Sequence, residues 1–471
     1  MDDPAFAPSP NSGIDIQTQT ILLHASNHDL LALKPLLRVP GNASVQDPET
    51  GYSPLHAAIA ACGPSTPLQS SNIQNGEVKS KAEGEEGEEG EGGEGDGKQE
   101  VDIEKVKKVV EELFFSGAIW NDLDSNNETP GCLAYRLGRM ELYEMCVNAG
   151  VRAELLLGLM GGYEELEGED SEEDDEAMEA VEGNIDGQGE AKEARESNGT
   201  TIVPAEHNLA VGPAEEAILE QQEDQDQSAK KDVNSADYLA STLKFTDDKL
   251  LDSDNNGVMM AWETDIMRRT VDLLLPSSSS SGQPKAGARI LNIGFGMGII
   301  DRMFRDTKPS RHHIIEAHPA VLKKVAEPDS DFGQAWEGSA PAGAYKIHAG
   351  TWQTICPLLL AANEVYDAIY FDTFGEDYSQ LKLLFTEYLP GLLDSDGTFG
   401  FFNGLGADRR VCYDVYTKVV ECDLGDAGLD VEWTDVEVGR LGEEGEGEWE
   451  GVRRRYWVLE RYRLPVCTFM G

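Results

Sequence analysis

A glycine-rich turn in the C-terminal half of the chain has the composition of a nucleotide-binding loop. Residues 291–293 have the pattern of a strand end, and Gly294-Phe-Gly-Met-Gly298 leads into a helical pattern beginning at Ile299. Glycines let the backbone approach a ligand closely, and open α/β sheets bind nucleotides at the carboxyl ends of their strands. The Gly-x-Gly-x-Gly spacing lacks the third glycine of the dinucleotide fingerprint, so by itself it also fits a purely structural turn.

Two carboxylates follow strand-like segments of the same region. Glu316 lies about twenty residues beyond the glycines, where an acid accepts hydrogen bonds from the ribose hydroxyls of a nucleoside. A solvated acid at a strand end is the alternative. Asp372 follows the apolar segment Tyr366–Phe371, and an acid placed there carries a desolvation cost unless it meets a cation. Together they predict a nucleoside site next to a cation site.

The segment from Gly257 to Met267 places an acid, an aromatic ring and methionines in front of the first strand. Glu263 beside Trp262 suits a guanidinium, because arginine prefers planar carboxylates and aromatic faces. Met259 and Met267 are polarizable apolar residues that suit a sulfonium group, although a methionine-rich face is also ordinary core. We interpret this segment as the beginning of an amphipathic helix, in which Glu263 is either a ligand or an exposed helix acid.

Three further residues are candidates for contact with a ligand. Trp352 and Gln353 begin a predicted helix at the same sheet edge, where the tryptophan is either a neighbour of an adenine ring or part of the core. His318 lacks partners at metal-ligand spacing and is interpreted as a surface loop residue, so no metal site is predicted.

The elements that position these residues alternate between strand and helix. Strands are predicted at Ala288–Ile293, His312–Glu316, Tyr345–Ala349, Tyr366–Phe371, Thr398–Phe402, Val431–Val438 and Arg455–Leu464. Helices are predicted at Ile299–Arg305, Ala320–Ala326, Thr351–Ala362, Tyr378–Leu389 and Asp408–Cys422. Alternation predicts a mostly parallel sheet with helices on both faces, and the last two strands predict an antiparallel hairpin at one edge. This α/β fold is the seven-stranded, Rossmann-like architecture of class I methyltransferases.

The N-terminal part has a repeat pattern. Ser53-Pro-Leu-His-Ala-Ala-Ile59 is close to the Thr-Pro-Leu-His-x-Ala core of an ankyrin repeat, and Thr129-Pro130 opens a second helix pair. Residues 21–37 are interpreted as a capping helix pair. We predict a short all-α ankyrin-repeat module, which would be an interaction unit without chemistry of its own. A helical hairpin bundle is the alternative.

The charge of the chain is concentrated in low-complexity stretches. Lys+Arg is 38 and Asp+Glu is 88, which gives a formal net charge of −50. The predicted domains are an ankyrin-repeat-like module at 15–160 with an acidic insert at 66–100, an acidic disordered linker at 163–235, and a methyltransferase domain at 237–471. We interpret the acidic stretches as solvated tethers, with attraction of basic proteins as the alternative.

Composition also excludes classes of partner. The negative charge disfavours binding to a nucleic-acid backbone, which requires a cationic surface. No apolar run approaches the ~20 residues of a membrane-spanning helix, and the N-terminal residues lack a secretory pattern. The seven scattered cysteines predict reduced thiols. These features predict a cytoplasmic and nuclear protein.

Five segments occur in order and identify a family resemblance. They are Val258–Met267, Asn292–Ile299, Ile315–Pro319, Gly350–Gln353 and Tyr370–Phe374. Together they resemble the fungal protein arginine N-methyltransferase 2 family, which methylates the internal (N5, or δ) guanidino nitrogen of arginine. The similarity to guanidinoacetate N-methyltransferase is more distant. The resemblance covers essentially the whole chain, because the fungal family also carries ankyrin repeats upstream.

The resemblance implies S-adenosyl-L-methionine as the cofactor. Carried over residue by residue, its contacts fall on Phe245, Met259, Met267, Gly294, Phe295, Gly296, Met297, Gly298, Ile299, Glu316, Ala317, His318, Trp352, Gln353 and Asp372. The acids that hold the guanidinium in the guanidinoacetate relative match Glu263 and Asp372, which are the implied catalytic residues. Either of them is a candidate proton acceptor. The double-glutamate loop and Thr-His-Trp motif of ω-directed arginine methyltransferases are absent, which agrees with attack at the δ-nitrogen.

The implied activity is transfer of a methyl group to arginine in protein substrates, for example a basic ribosomal protein, with a further protein partner on the ankyrin module. Two other hypotheses stay open. One is a small-molecule guanidino N-methyltransferase that uses the same two acids. The other is an ankyrin adaptor with a catalytically dead methyltransferase fold, although a scaffold has no physical need for the glycines and the three acids.

Overall fold

The computed structural model describes residues 15–65, 102–161, 235–276 and 286–471. Within the range 102–161, side chains are described as far as Leu159. The predicted acidic insert and the predicted linker up to residue 234 lie outside the described residues, as do residues 277–285. These segments and the predicted domain boundaries therefore stay predictions.

Seven strands form the central sheet, in the order β6-β5-β4-β7-β8-β10-β9. Their bounds are β4 Arg289–Ile293, β5 Arg311–Glu316, β6 Tyr345–Ala349, β7 Tyr366–Phe371, β8 Leu393–Phe401, β9 Leu429–Glu437 and β10 Arg461–Phe469. Strands β4 to β8 pair in parallel, and β10 pairs antiparallel with both β8 and β9. The predicted parallel sheet that ends in an antiparallel hairpin is confirmed.

Helices connect the strands. Their bounds are α7 Ser235–Ala240, α8 Thr264–Leu274, α9 Ile299–Asp306, α10 Pro319–Val325, α11 Gln334–Glu337, α12 Trp352–Ala361, α13 Tyr378–Leu383, α14 Leu389–Leu392 and α15 Arg410–Asp426, with a π-helical turn at Leu384–Tyr388. In α8 the residues Ile266, Met267, Val271 and Leu274 are buried, as their spacing predicts. Central strands such as β4 are buried on both faces because helices cover both sides.

Two predicted elements are corrected. Gly257–Met260 is a strand, β3, and not the start of a helix; it pairs with β2 (Lys249–Leu251), which pairs with β1 (Lys244–Phe245). A 3₁₀ turn at Ala261–Glu263 separates this small sheet from α8. The last strand of the large sheet begins at Arg461 and not at Arg455. Aromatic side chains between 455 and 460, such as the buried Trp457, pack into an apolar cluster instead of continuing the ladder.

The N-terminal residues form helices in pairs. Their bounds are α1 Ile16–Ser26, α2 Leu30–Leu36, α3 Pro54–Ala60, α4 Ile103–Phe115, α5 Pro130–Arg136 and α6 Met140–Gly161. The hydroxyl of Ser53 caps α3 with Pro54 in its first turn, and Thr129 caps α5 with Pro130 in the same position. Proline is preorganised for this position, and the cap satisfies a free backbone N–H. The predicted helix starts at Pro54 and Pro130 are confirmed.

The N-terminal helices share a hydrophobic core with α15. Val411 and Val415 are fully buried among side chains of the N-terminal helices. Polar contacts flank this core: the Tyr143 hydroxyl donates to Asp414, and the Arg410 guanidinium lies 4.5 Å from the centroid of the Tyr135 ring. Helix α15 is therefore covered on both sides, by the sheet and by the N-terminal helices.

Candidate active site

Two clefts meet at Asp372, at the carboxyl ends of the central strands. The glycine-loop cleft has about 620 Å³ of space and is lined by residues that include Met259, Gly294, Gly296, Glu316, Trp352 and Asp372. The carboxylate cleft has about 930 Å³ and is lined by residues that include Gly257, Glu263, Asp372, Tyr378 and Tyr456. A ligand in one cleft can thus meet a ligand in the other beside Asp372.

Glu316 ends β5 and is buried in the floor of the glycine-loop cleft. One carboxylate oxygen accepts from the backbone N–H groups of Phe295, at 3.0 Å, and Gly296, at 3.4 Å. The other accepts from the N–H of His318 at 2.5 Å. Burial raises the pKa of Glu316, and these backbone donors oppose the rise because they stabilise the ionised form. The carboxylate is thereby fixed to the glycine loop, at the wall of the cleft.

The glycine loop leaves β4 and reaches the helix α9. Gly296 has a φ of +55°, and a Cβ built there would lie 2.9 Å from Sδ of Met259. The next residue, Met297, donates its N–H to the same sulfur at 3.2 Å. Glycine is favoured here by the positive φ, and a Cβ would have to displace the flexible end of the Met259 side chain.

Glu376 organises the edge of the glycine-loop cleft. Its carboxylate accepts from Nε1 of Trp352, at 2.8 Å, from Nε2 of Gln353, at 3.2 Å, and from the hydroxyl of Thr373, at 2.8 Å. Trp352 is buried with its indole turned toward this carboxylate. Sequence reasoning missed Glu376, although the polar run after Asp372 was a signal.

Helix α7 covers one side of the glycine-loop cleft. The ring of Tyr238 packs against the rings of His318, at 4.7 Å, and Phe374, at 5.0 Å. His318 is buried and is not the surface loop residue that the sequence predicts, and its Nε2 donates to the carbonyl of Tyr238 at 3.0 Å. Sequence reasoning also missed Tyr238, because a six-residue helix behind a polar segment has no periodic signal of its own.

Glu263 ends the 3₁₀ turn and is buried, with 4% of its surface exposed. Desolvation raises its pKa to about 8, and the charge of Asp372 adds to this effect. A hydrogen bond from the Tyr456 hydroxyl opposes it. Because a buried carboxyl group is poorly solvated, it favours its neutral form until a cation is present.

Asp372 lies just beyond the end of β7, and the walls of the two clefts surround it. Desolvation raises its pKa to about 7. Its Oδ2 atom is buried and has no hydrogen-bond partner among the described residues, and neither has the fully buried hydroxyl of Tyr370. None of the described lysines or arginines contributes to the pKa of Glu263 or Asp372. The two acids therefore form an anionic site that lacks a protein counter-ion among these residues.

The structure brings about half of the predicted cofactor residues into the glycine-loop cleft. These are Met259, Gly294, Gly296, Glu316, Ala317, Trp352 and Asp372. A neighbouring groove beyond the loop is lined by Phe245, Phe295, Met297 and Ile299. The remaining four line neither cavity: Met267 is core, Gly298 precedes α9, His318 caps α10, and Gln353 binds Glu376. Their effect on a ligand would be indirect.

Two other features are absent from the described residues. In the described ranges no helix is long and apolar enough to span a bilayer. The same ranges contain no group of three or more histidine, cysteine or acidic side chains arranged to hold a metal ion.

Comparison with known proteins identifies the relatives of this chain. The family model for guanidinoacetate N-methyltransferase matches residues 219–401. Among solved structures, Aeropyrum pernix fibrillarin with bound S-adenosyl-L-methionine aligns with 49% of this chain and 83% of its own, at a TM-score of 0.27 and 13% identity.

The family assignment rests on curated relatives that extend over nearly the whole chain. Protein arginine N-methyltransferase 2 of Neurospora crassa is 52% identical over 459 residues, 97% of this chain and 96% of the relative. The Gibberella zeae protein of the same name is 52% identical over 447 residues, 94% of this chain and 90% of its own. The Yarrowia lipolytica protein is 38% identical over 78% of this chain and 80% of its own. The chain belongs to the protein arginine N-methyltransferase 2 family.

Proposed function

We propose that the protein transfers a methyl group from S-adenosyl-L-methionine to the internal δ-nitrogen of arginine residues in protein substrates. The observation that carries this proposal is the pair Glu263 and Asp372, which lie at the junction of two clefts without a counter-ion among the described residues. Two desolvated acids are costly unless a cation neutralises them. A planar guanidinium has the charge and the hydrogen-bond donors that such a pair requires.

The glycine-loop cleft fits the cofactor. Glu316 is a fixed acceptor at the end of β5, where ribose hydroxyls are bound in nucleotide-binding sheets. Glycine backbone at 294 and 296 and the apolar side chains of Met259 and Trp352 form the walls. When bound, S-adenosyl-L-methionine supplies an electrophilic methyl group on a sulfonium. Glu316 would hold the ribose, and Met259 and Trp352 would cover the remaining surface.

The protein's own contribution is to position the guanidinium and to receive its proton. A guanidinium is a poor nucleophile, because its lone pairs are delocalised and its pKa exceeds ~12. Glu263 and Asp372 would bind the two terminal nitrogens and concentrate positive charge there, which leaves the δ-nitrogen with electron density for attack. Oδ2 of Asp372 has free acceptor capacity. A carboxylate with a pKa near 7 is well matched to take a proton at neutral pH.

Mass spectrometry tests the site of methylation. The full chain would be incubated with an arginine-rich protein and isotopically labelled cofactor, and fragment ions of the product would be recorded. Methyl on the δ-nitrogen and methyl on a terminal nitrogen give different neutral losses from the side chain. An ω-methyl product would overturn the δ assignment and leave the fold assignment intact.

Substitution of the two acids tests the mechanism. Glu263→Gln and Asp372→Asn keep side-chain shape and remove charge. We expect each to lower kcat/KM for the arginine substrate by at least about 100-fold. Cofactor affinity, measured by calorimetry, should stay within a few fold in Glu263→Gln, because Glu263 does not line the glycine-loop cleft. Near-normal turnover in both variants would refute the mechanism.

A second candidate function is methylation of a free guanidino metabolite. The match of residues 219–401 to the guanidinoacetate N-methyltransferase model favours it. Parallel assays with guanidinoacetate, free arginine and an arginine protein distinguish the two, because the proposed function predicts the highest kcat/KM for the protein. If the protein does not bind S-adenosyl-L-methionine in a calorimetric titration, the third hypothesis, an inactive adaptor, is supported.

We propose further that the N-terminal helices are an ankyrin-type module that binds a protein in the cytoplasm or nucleus, with the substrate as the partner to be tested first. The paired helices with Ser53 and Thr129 caps support the repeat assignment.

Phe115, at the end of α4, is 89% exposed. Phe115→Glu should raise KM for a protein substrate and leave KM for a short arginine peptide unchanged. Leu358→Glu, at a 64% exposed position on α12, is the control.

A further inference from the structure

Tyr456 comes from the connection between β9 and β10 and reaches the anionic site. Its hydroxyl donates to Oε1 of Glu263, 193 residues earlier in the chain, and its ring lines the carboxylate cleft. Building on the proposed function, we infer that Tyr456 is a positioning residue for the guanidinium. Its hydroxyl holds Oε1 of Glu263 and so would fix the orientation of the carboxylate at the wall of the cleft.

Packing fixes the ring of Tyr456 from three segments. Its centroid lies 5.0 Å from that of Trp449 and 5.9 Å from that of Trp262. On the third side, a Cβ built at Gly257 of β3 would lie 2.8 Å from Cε1 of the tyrosine. A ring held in this way loses little entropy when its hydroxyl binds Glu263, so the hydrogen bond can orient the carboxylate before substrate arrives.

The hydroxyl also affects how readily Glu263 ionises. The groups near this carboxyl are Asp372 and Tyr370 from β7, Tyr456 from the connection and Tyr462 from β10. Among these, the charge of Asp372 raises the pKa of Glu263 and the hydrogen bond from Tyr456 lowers it. Loss of the hydroxyl would raise that pKa further. At neutral pH less carboxylate would then be available to bind a cation.

The variant Tyr456→Phe keeps the ring and removes the hydroxyl. A hydrogen bond to a charged group corresponds to about a 10- to 100-fold change in an equilibrium constant, so we expect KM for an arginine protein to rise about 10-fold at pH 7.5. The acidic limb of the kcat/KM profile should move to higher pH. Cofactor affinity, measured by calorimetry, should not change.

A binding measurement tests the role of Tyr456 without requiring methyl transfer. An arginine peptide would be titrated into the full chain saturated with S-adenosylhomocysteine, in two buffers of different ionisation enthalpy. Guanidinium binding ionises Glu263 and releases protons. Tyr456→Phe should bind the peptide more weakly and release more protons than the parent at the same pH, because more of its Glu263 starts protonated.

Two further variants complete the test. Tyr413 is a buried tyrosine of the same apolar cluster whose hydroxyl accepts from the N–H of Arg463 at 2.8 Å, so Tyr413→Phe controls for packing. Gly257→Ala keeps the Tyr456 hydroxyl but displaces its ring, and should act in the same direction as Tyr456→Phe.

Unchanged KM, pH profile and proton release in Tyr456→Phe, or equal effects in Tyr413→Phe, would overturn the inference. A parent enzyme that binds the peptide but forms no δ-methyl product would instead refute the proposed function.

Discussion

Gly294 of the glycine loop and Asp372 at the end of β7 are in direct backbone contact: a Cβ built at Gly294 would lie 1.9 Å from the carbonyl oxygen of Asp372. The N–H of Asp372 donates to the carbonyl of Ile293 at 2.8 Å, which holds the two strand ends together. The first glycine of the motif is therefore required by packing of the protein against itself. The cofactor cleft and the anionic site cannot be displaced independently.

Gly294→Ala tests this coupling. The new methyl group must push the end of β7 away, and the residue must keep a φ of +96°, which L side chains rarely adopt. Because a displacement of about 1 Å can lower a rate about 100-fold, we expect kcat/KM for the arginine substrate to fall by that order. Cofactor affinity should fall with it. Gly439→Ala, where a Cβ meets no atom within 4 Å, is the control and should behave like the parent.

Glu316→Gln tests the proposed ribose contact. The amide loses charge and replaces one acceptor with a donor, which faces the N–H groups of the loop or that of His318. We expect cofactor affinity to fall about 10- to 100-fold by calorimetry, as for loss of hydrogen bonds to a charged group. Glu337→Gln is a matched control, because Glu337 also accepts a backbone N–H, that of Ile347 at 2.8 Å, outside the cleft. Equal losses in both variants would contradict the assignment.

The raised pKa of Glu263 makes a prediction about stability. A carboxyl whose pKa is about 8 in the folded chain and 4.5 as a reference binds its proton more tightly when folded. It therefore contributes stability that is present below about pH 4.5 and is lost as the pH rises toward 8. Each proton bound in excess by the folded state makes the free energy of unfolding fall by about 1.4 kcal/mol per pH unit.

Glu263→Gln removes this titration. Denaturant unfolding of parent and variant without ligands, at half-unit steps from pH 5.5 to 9, should show that the variant gains stability relative to the parent as the pH rises. The slope of this difference should approach about 1.4 kcal/mol per unit and level off near pH 8. A difference that does not change with pH would mean that Glu263 has an ordinary pKa.

Val411→Ala tests whether the N-terminal helices and the sheet unfold together. Val411 is fully buried in the core that joins α15 to the N-terminal helices. Loss of two methyl groups and the resulting cavity should lower the free energy of unfolding by about 1–3 kcal/mol. Because both regions depend on this core, we expect one transition by fluorescence and by circular dichroism. Two separate transitions would show that the regions unfold independently.

Much of the architecture was predictable because its signals are local. The caps at Ser53 and Thr129 act within one helical turn, and both helices begin where the sequence indicates. Strands β6 and β7 have the predicted bounds, because β6 alternates in polarity along Tyr345–Ala349 and β7 ends in a short apolar run. The placement of Glu316 and Asp372 at strand ends followed from the same alternation.

The errors arose where tertiary packing overrides local preference. The methionines of Gly257–Met260 fit a helix by composition, yet pairing with β2 makes them a strand. Residues 455–460 resemble an extension of the final strand, but Tyr456 and Trp457 turn into the cluster that contains Trp449.

The sequence by itself determined the α/β alternation, the glycine loop, the strand-end acids and the family, because those signals lie within segments of a few residues. Tertiary structure alone decided that Tyr456 binds Glu263 from 193 residues away, and that Gly294 packs on Asp372. It also decided that α15 is buried between the sheet and the N-terminal helices. Such contacts depend on how distant segments fill one core, and no local pattern encodes which side chains will meet there.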